Sequence, residues 1–244
     1  MGETQSNNNI NNDNPPKSES NVSFFKSFIP QKISNDTALS FFEFLRKGNH
    51  FSNNFPENLE HNIKNFEYHK EQIRKDNGYI EDQPYYSDMK YGNKTMSYCG
   101  CEIISVFNAL NFLTKKKDIN LPEIINDFEK DGIVLNGIFG TAPKAIEEYL
   151  KNKNYLTVSS TNENEFDEIG KMANCLILTY YNDENNIMEE VHSVNIIKEN
   201  GKYYVHNCGR NKHKIPYMSI SDFLKKSEKR KGKGIFIIGI LENN

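Results

Sequence analysis

The chain of 244 residues has no tryptophan, only four cysteines and little charge imbalance, with 30 Lys and Arg against 33 Asp and Glu. Each scarcity excludes something. A formal net charge of -3 provides no field that would gather nucleic acid or an anionic lipid surface, so neither partner is expected. No apolar run is long enough to span a bilayer, so no membrane crossing is expected. Four cysteines are too few for a disulfide scaffold in a chain of this length, and Cys99 and Cys101 nearly adjoin, so reduced thiols are expected. Met1 to Ser20 has neither the basic nor the apolar stretch of a secretory signal, which gives a cytoplasmic location as the expectation.

What is present suffices for one substantial core: 36% of residues are hydrophobic, although a mean hydropathy of -0.73 leaves much of the chain exposed. Residues 1–22 are rich in Asn, Ser and Pro and read as a disordered tail. Residues 23–90 read as a helical N-terminal extension, suited to masking a cleft as a pro-segment does or to docking a substrate. It opens with an apolar patch, Phe24, Phe25, Phe28 and Ile29. A helix follows over Ser34 to Arg46, with Leu39, Phe42 and Leu45 on one stripe and Gly48 as its stop. A second runs from Leu59 to Asn77 with a thin stripe of Ile63, Phe66 and Ile73, and Asp82 to Lys94 reads as connection.

Residues 91–244 form the second predicted domain. Helices are expected over 101–113, 121–130 and 144–151, the last preceded by a glycine-rich loop from Asn136 to Pro143. Short β-branched and aromatic runs at 155–158, 175–181, 191–198, 202–207 and 235–241 read as strands. Helices first and a largely antiparallel sheet after make an α+β domain.

Chemistry concentrates in two places. Cys101 opens an apolar helical pattern carried by Ile103, Phe107 and Leu110, where unpaired N–H groups and the positive end of the dipole favour a thiolate. The second place is a hairpin. Asn200-Gly201 is a favoured two-residue turn, which places Asn207 opposite Val194 and His206 opposite Asn195. His192 then lies one diagonal step from Asn207 on one face, and His206 points to the other. Cys101 as nucleophile, His192 as base and Asn207 as the amide that orients the imidazole make a chemically complete set. Cys99, Cys101, His192 and Cys208 also contain zinc-ligand types, but one C-x-C pair without a second pair is a weak metal signature, and no metal is assigned. Lys225 to Lys233 reads as a solvated helix end and loop, and Asp183, Glu184, Glu189 and Glu190 as a solvated acidic rim.

Gly100-Cys101-Glu102-Ile103-Ile104-Ser105-Val106-Phe107-Asn108-Ala109-Leu110 resembles the nucleophile helix of papain-like cysteine peptidases, closest to the bacteriocin leader peptidases and their stand-alone bacterial relatives. Asn136-Gly137-Ile138-Phe139-Gly140-Thr141 resembles the loop those enzymes place beside the cleft, and the order Cys, His, Asn agrees. The resemblance covers roughly residues 90 to 241. It implies a papain-like fold and a thiol protease that hydrolyses a peptide or protein substrate through a thioester, without a cofactor. Gly137, Phe139 and Gly140 would touch substrate. Cys99-Gly100 offers a rival alignment of the nucleophile. The family's oxyanion glutamine a few residues before the cysteine is missing: Thr95 occupies that spacing, and Asn93 is the nearest amide to stand in for it. Deamidation or another acyl transfer, and a non-catalytic binding module on the same scaffold, are the alternatives.

Overall fold

Seven consecutive buried residues, Cys175–Tyr181, form the central strand β4 of a five-stranded antiparallel sheet. The computed structural model describes residues 33–48, 55–115, 119–181, 191–209, 212–226 and 233–241, and these all fall within one unit, Lys32–Asn244. The other strands are β3 (Leu156–Ser160), β5 (Val191–Glu199), β6 (Lys202–His206) and β7 (Gly234–Leu241), in the order β3-β7-β4-β5-β6. The fold is mixed α+β.

A strand buried on every residue needs cover on both faces, and β4 has it. Leu176, Leu178 and Tyr180 point into a cluster with Val194, Ile196 and Ile237, closed by Phe166 and Ile169 of α7 (Phe166–Met172) and by Ile220 and Phe223 of α8 (Ile220–Lys226). Alternation sends Cys175 to the opposite face, where its Sγ lies 3.9 Å from the carbonyl of Ala109. Ala109 belongs to α4 (Cys101–Leu113), whose first eleven residues are all buried. A helix apolar nearly all round is a core helix, and its polar members must find partners inside. Asn108 does so: Oδ1 accepts the N–H of Ile80 at 2.8 Å and Nδ2 donates to the carbonyl of Ile80 at 2.9 Å.

The hairpin has the expected register. Asn200 and Gly201 both take positive φ, 51° and 74°, and Asn195 pairs with His206. Pairing of β5 with β4 runs on to Val191 and Tyr181, whereas pairing with β6 stops at Asn195. The first residues of β5 therefore have a strand on one side only.

The segment expected as a separate N-terminal extension packs into the same unit as the sheet. In α1 (Asn35–Gly48), Asn35 Nδ2 donates to the carbonyls of Thr161 and Gly234. At its other end the buried Arg46 reaches Asp131 at 3.1 Å and, at 2.7 Å, Glu148 of α6 (Pro143–Asn152). In α2 (Pro56–Lys75), Asn58 donates to Glu129 of α5 (Leu121–Lys130), and Asn62 exchanges two hydrogen bonds with the backbone of Lys90. The expected connection from Asp82 to Lys94 is also more ordered than its pattern suggests. It holds a 3-10 turn at Gln83–Tyr86 and the start of a small hairpin, β1 (Lys90–Tyr91) with β2 (Lys94–Thr95), followed by the short α3 (Met96–Cys99). Two-residue strands carry no readable periodicity, so this stretch has no strand signal.

The expected N-terminal tail, the apolar patch at Phe24 to Ile29, the acidic rim at 183–190 and most of the basic run at 225–233 lie outside the described residues. No helix among the described residues is long and apolar enough to cross a membrane.

Candidate active site

Cys101 is the first residue of α4, as its sequence pattern predicts. Gly100 joins α3 to α4 and donates its N–H to the carbonyl of Met96 at 2.9 Å. A Cβ on Gly100 would stand 2.6 Å from that carbonyl oxygen, which no side chain tolerates, so the turn presenting the cysteine requires glycine. The sulfur sits against the edge of β5 that β6 does not cover. The carbonyl of Val191 is 3.9 Å from it, and the backbone N–H of Ser193 is directed at it.

The electrostatics depart from the expected thiolate. Cys101 is 6% exposed, and burial pushes its thiol well above the ordinary range. The carboxyl of Glu102, whose Oε2 is 3.1 Å from Sγ, pushes it further in the same direction, and the Ser193 N–H opposes both. Both effects favour the neutral thiol over the thiolate.

His192 leaves β5 beside Tyr180, the two rings edge-on with centroids 5.8 Å apart. Its Nε2 is 2.8 Å from the backbone carbonyl of Asn207. A carbonyl only accepts, so Nε2 carries the proton and Nδ1 of the neutral ring carries the lone pair. The pairing of His192 with Asn207 expected from the register is present, but through a different atom. Asn207 lies just past β6 at φ 62°, which turns its main chain rather than its amide towards the imidazole. Its Nδ2 is buried without a hydrogen-bond partner among the described residues. The orienting group is therefore the Asn207 carbonyl, not its side chain.

What holds that carbonyl is a residue the sequence pattern does not single out. Glu81 accepts the N–H of Asn207 on Oε2 at 3.2 Å, and its Oε1 lies 2.6 Å from Nδ1 of His206. Because Asn108 fixes the backbone of Ile80, a continuous chain of contacts runs from α4 through Ile80, Glu81 and Asn207 to His192. His206 stacks on Tyr79 at 3.9 Å and faces a larger cavity of about 940 Å³, which Glu81 also lines. The register rightly separates the two histidines.

Cys101, Glu102, His192, Asn207, Phe139 and Gln83 line one cavity of about 400 Å³. Gly140 lines it too, at φ 65°, and a Cβ there would press to 3.3 Å from Oε2 of Glu102. Gly137 does not line it. A Cβ on Gly137 would stand 2.8 Å from the carbonyl of Tyr91, so this glycine serves the turn and not the cavity.

Asn93 is not brought to the cysteine. Its backbone N–H binds the carbonyl of Asn136, and it lines a separate depression with Phe55 and Tyr98. Besides Asn207, the cavity wall carries the amide of Gln83, whose Nε2 donates to the carbonyls of Met96 and Ser97, at 3.2 Å each. The β1–β2 hairpin and α3 intervene between it and Cys101, so the short spacing expected from the sequence could not reveal it.

No disulfide joins the four cysteines. Among the described residues no group of three or more His, Cys, Asp or Glu side chains is arranged to hold a metal ion, and Cys99, Cys101, His192 and Cys208 are not gathered into one. Neither family models, nor curated proteins, nor solved structures give a match to this chain.

Proposed function

We propose that the chain is a papain-like cysteine hydrolase that cleaves a peptide bond through a thioester acyl-enzyme. The observation that carries this reading is the 2.8 Å contact between His192 Nε2 and the Asn207 carbonyl, within the cavity that also holds Cys101. That contact selects the tautomer a base needs, with the lone pair on Nδ1.

In this mechanism Nδ1 takes the proton of Cys101 as sulfur attacks the substrate carbonyl carbon. The imidazolium then protonates the leaving amine and the thioester remains. Water attacks the thioester, its proton passing to the same nitrogen, and the acid product departs with the thiol restored. The backbone N–H of Cys101, one of the unpaired donors of a helix start, is the donor proposed for the oxyanion; the Gln83 amide on the same wall gives its hydrogens to Met96 and Ser97. The substrate is a peptide or protein whose chain passes the wall formed by Phe139 and Gly140. Neither nucleic acid nor membrane takes part, no cofactor is required, and a reducing cytoplasmic compartment suits the thiol.

The test is intact-mass labelling with an iodoacetamide-type reagent on wild type, Cys101→Ala, Cys99→Ala and His192→Ala. Labelling of one site, lost in Cys101→Ala, kept in Cys99→Ala and slowed in His192→Ala, is the expected result. Slow labelling spread over several cysteines and indifferent to His192 would overturn it. A second reading, a binding module on the same scaffold, is favoured by the neutral thiol beside Glu102. Product mass distinguishes peptidase from deamidase, since deamidation by the same thioester leaves the substrate chain whole.

A further inference from the structure

Glu102 stands next to the nucleophile, is 4% exposed, and has no ion-pair partner among the described residues. A buried carboxyl without a cation is costly unless it is neutral or fully hydrogen-bonded. Its contacts are all donors. Oε2 lies 3.1 Å from Cys101 Sγ, Oε1 lies 3.4 Å from Ser193 Oγ, and the backbone N–H groups of Thr141 and of Glu102 itself complete the set. The carboxyl thus ties the start of α4, the loop ending at Thr141 and the edge of β5 around the sulfur.

Resting on the cysteine-hydrolase reading above, we infer that Glu102 is a fourth member of the catalytic set, which restrains the nucleophile when ionised and activates it when protonated. The physical reason is the distance. Two anions cannot share a dry site at 3.1 Å, so while Glu102 is a carboxylate the sulfur keeps its proton and donates it to Oε2. Once Glu102 takes a proton from solvent, its O–H donates to sulfur, and the Cys101 proton passes to Nδ1 of His192. The activated state is a carboxylic acid, a thiolate and an imidazolium. Relative to the resting state it holds one added proton, and no electron has moved.

Geometry and titration agree. Burial lifts Glu102 to about 7, so the carboxyl changes state near neutrality. Among the described residues, the titratable groups around it are Cys101 on its own helix, Cys99 on α3 and Tyr91 on β1, with His192, Glu81, Asp82 and Cys208 on the cavity wall. Lys94 and Glu129 act on Cys99, and the loop ending at Thr141 and Ser193 bring only donors.

The test is the rate of Cys101 alkylation between about pH 5 and pH 9 on full-length wild type, Glu102→Gln, His192→Ala and Cys101→Ala. A neutral amide at 102 keeps a donor for the thiolate and removes the competing charge. Wild type is expected to lose reactivity as pH rises through about 7, whereas Glu102→Gln keeps it and labels at least about tenfold faster at about pH 8. Superimposable wild-type and Glu102→Gln profiles, both still dependent on His192, would overturn the role of Glu102 and leave the hydrolase reading standing. Slow labelling in both, indifferent to His192, would overturn the two together. Thiolate ultraviolet absorbance of wild type minus Cys101→Ala, followed over the same range, needs no Glu102 variant. It is expected to fall near neutrality, and a steady rise would overturn the inference.

Discussion

The backbone carbonyl of Asn207 accepts the Nε2 proton of His192 at 2.8 Å, while the Asn207 amide nitrogen has no partner among the described residues. An asparagine oriented this way contributes its position and its positive φ, not its amide. Asn207→Gly retains both, since glycine adopts φ 62° without strain. Its alkylation rate at Cys101 is expected to stay within about tenfold of wild type. Asn207→Ala keeps a Cβ in the left-handed region without the polar side chain that lets asparagine tolerate it, and is expected to lose about 1 kcal/mol of stability in urea titration. A collapse of His192-dependent labelling in Asn207→Gly would return the orienting role to the side chain.

Glu81 supports that carbonyl from behind, and its removal should show as disorder of the His192 imidazole. Glu81→Ala leaves the buried N–H of Asn207 and Nδ1 of His206 without their acceptor, a loss of about 1–3 kcal/mol in denaturant unfolding. As a positioning residue it should also reduce the effect of His192→Ala on labelling, because a mis-set imidazole contributes little to remove. Full additivity of the two substitutions on the labelling rate would show that Glu81 serves stability alone.

How far the sequence discloses this site depends on which forces hold it. The hairpin register follows from Asn200-Gly201, and with it the separation of His192 from His206, because a two-residue turn leaves the strands no choice. The α4 pattern is equally readable, since apolar spacing and Gly100 both mark its start. Gln83 and Glu81 carry no such mark. Each acts through a contact distant in sequence, and the β1–β2 hairpin that brings Gln83 to the cavity is too short to alternate. The amide role expected of Asn207 fails for a backbone reason, as its positive φ ends β6 and presents the carbonyl. Burial and the carboxyl one residue on both work against the thiolate expected at Cys101, and neither is part of a helix dipole.

Arg46 tests whether α1 belongs to the fold. Its guanidinium, 6% exposed, binds Glu43 at 2.8 Å within α1 and Glu148 of α6 at 2.7 Å. Glu43 is itself only 12% exposed, so Arg46→Met leaves a carboxylate that water reaches poorly with only the longer 3.7 Å contact to the exposed Lys47. The half-exposed Glu148 is rehydrated and loses less. The expected loss is about 2 kcal/mol in urea unfolding, with one cooperative transition retained. A separate early transition for residues 35–75 would instead mark α1 and α2 as a detachable segment.

Glu102 gives stability a pH dependence of definite sign. Its carboxyl titrates near 7 when folded against 4.5 ordinarily, so between those values the folded chain binds a proton that the unfolded chain has released. Stability from this group is fully present below about pH 4.5 and declines as pH rises towards about 7, by about 3 kcal/mol in all. Glu129 is also raised by burial and adds a decline of the same sign. The difference between wild type and Glu102→Gln cancels that contribution. Urea midpoints across this window should fall more steeply with pH for wild type than for Glu102→Gln, the gap closing towards the acid end. Parallel curves would mean that the carboxyl stays ionised inside the fold, held by the N–H groups of Thr141 and Glu102 strongly enough to offset its burial.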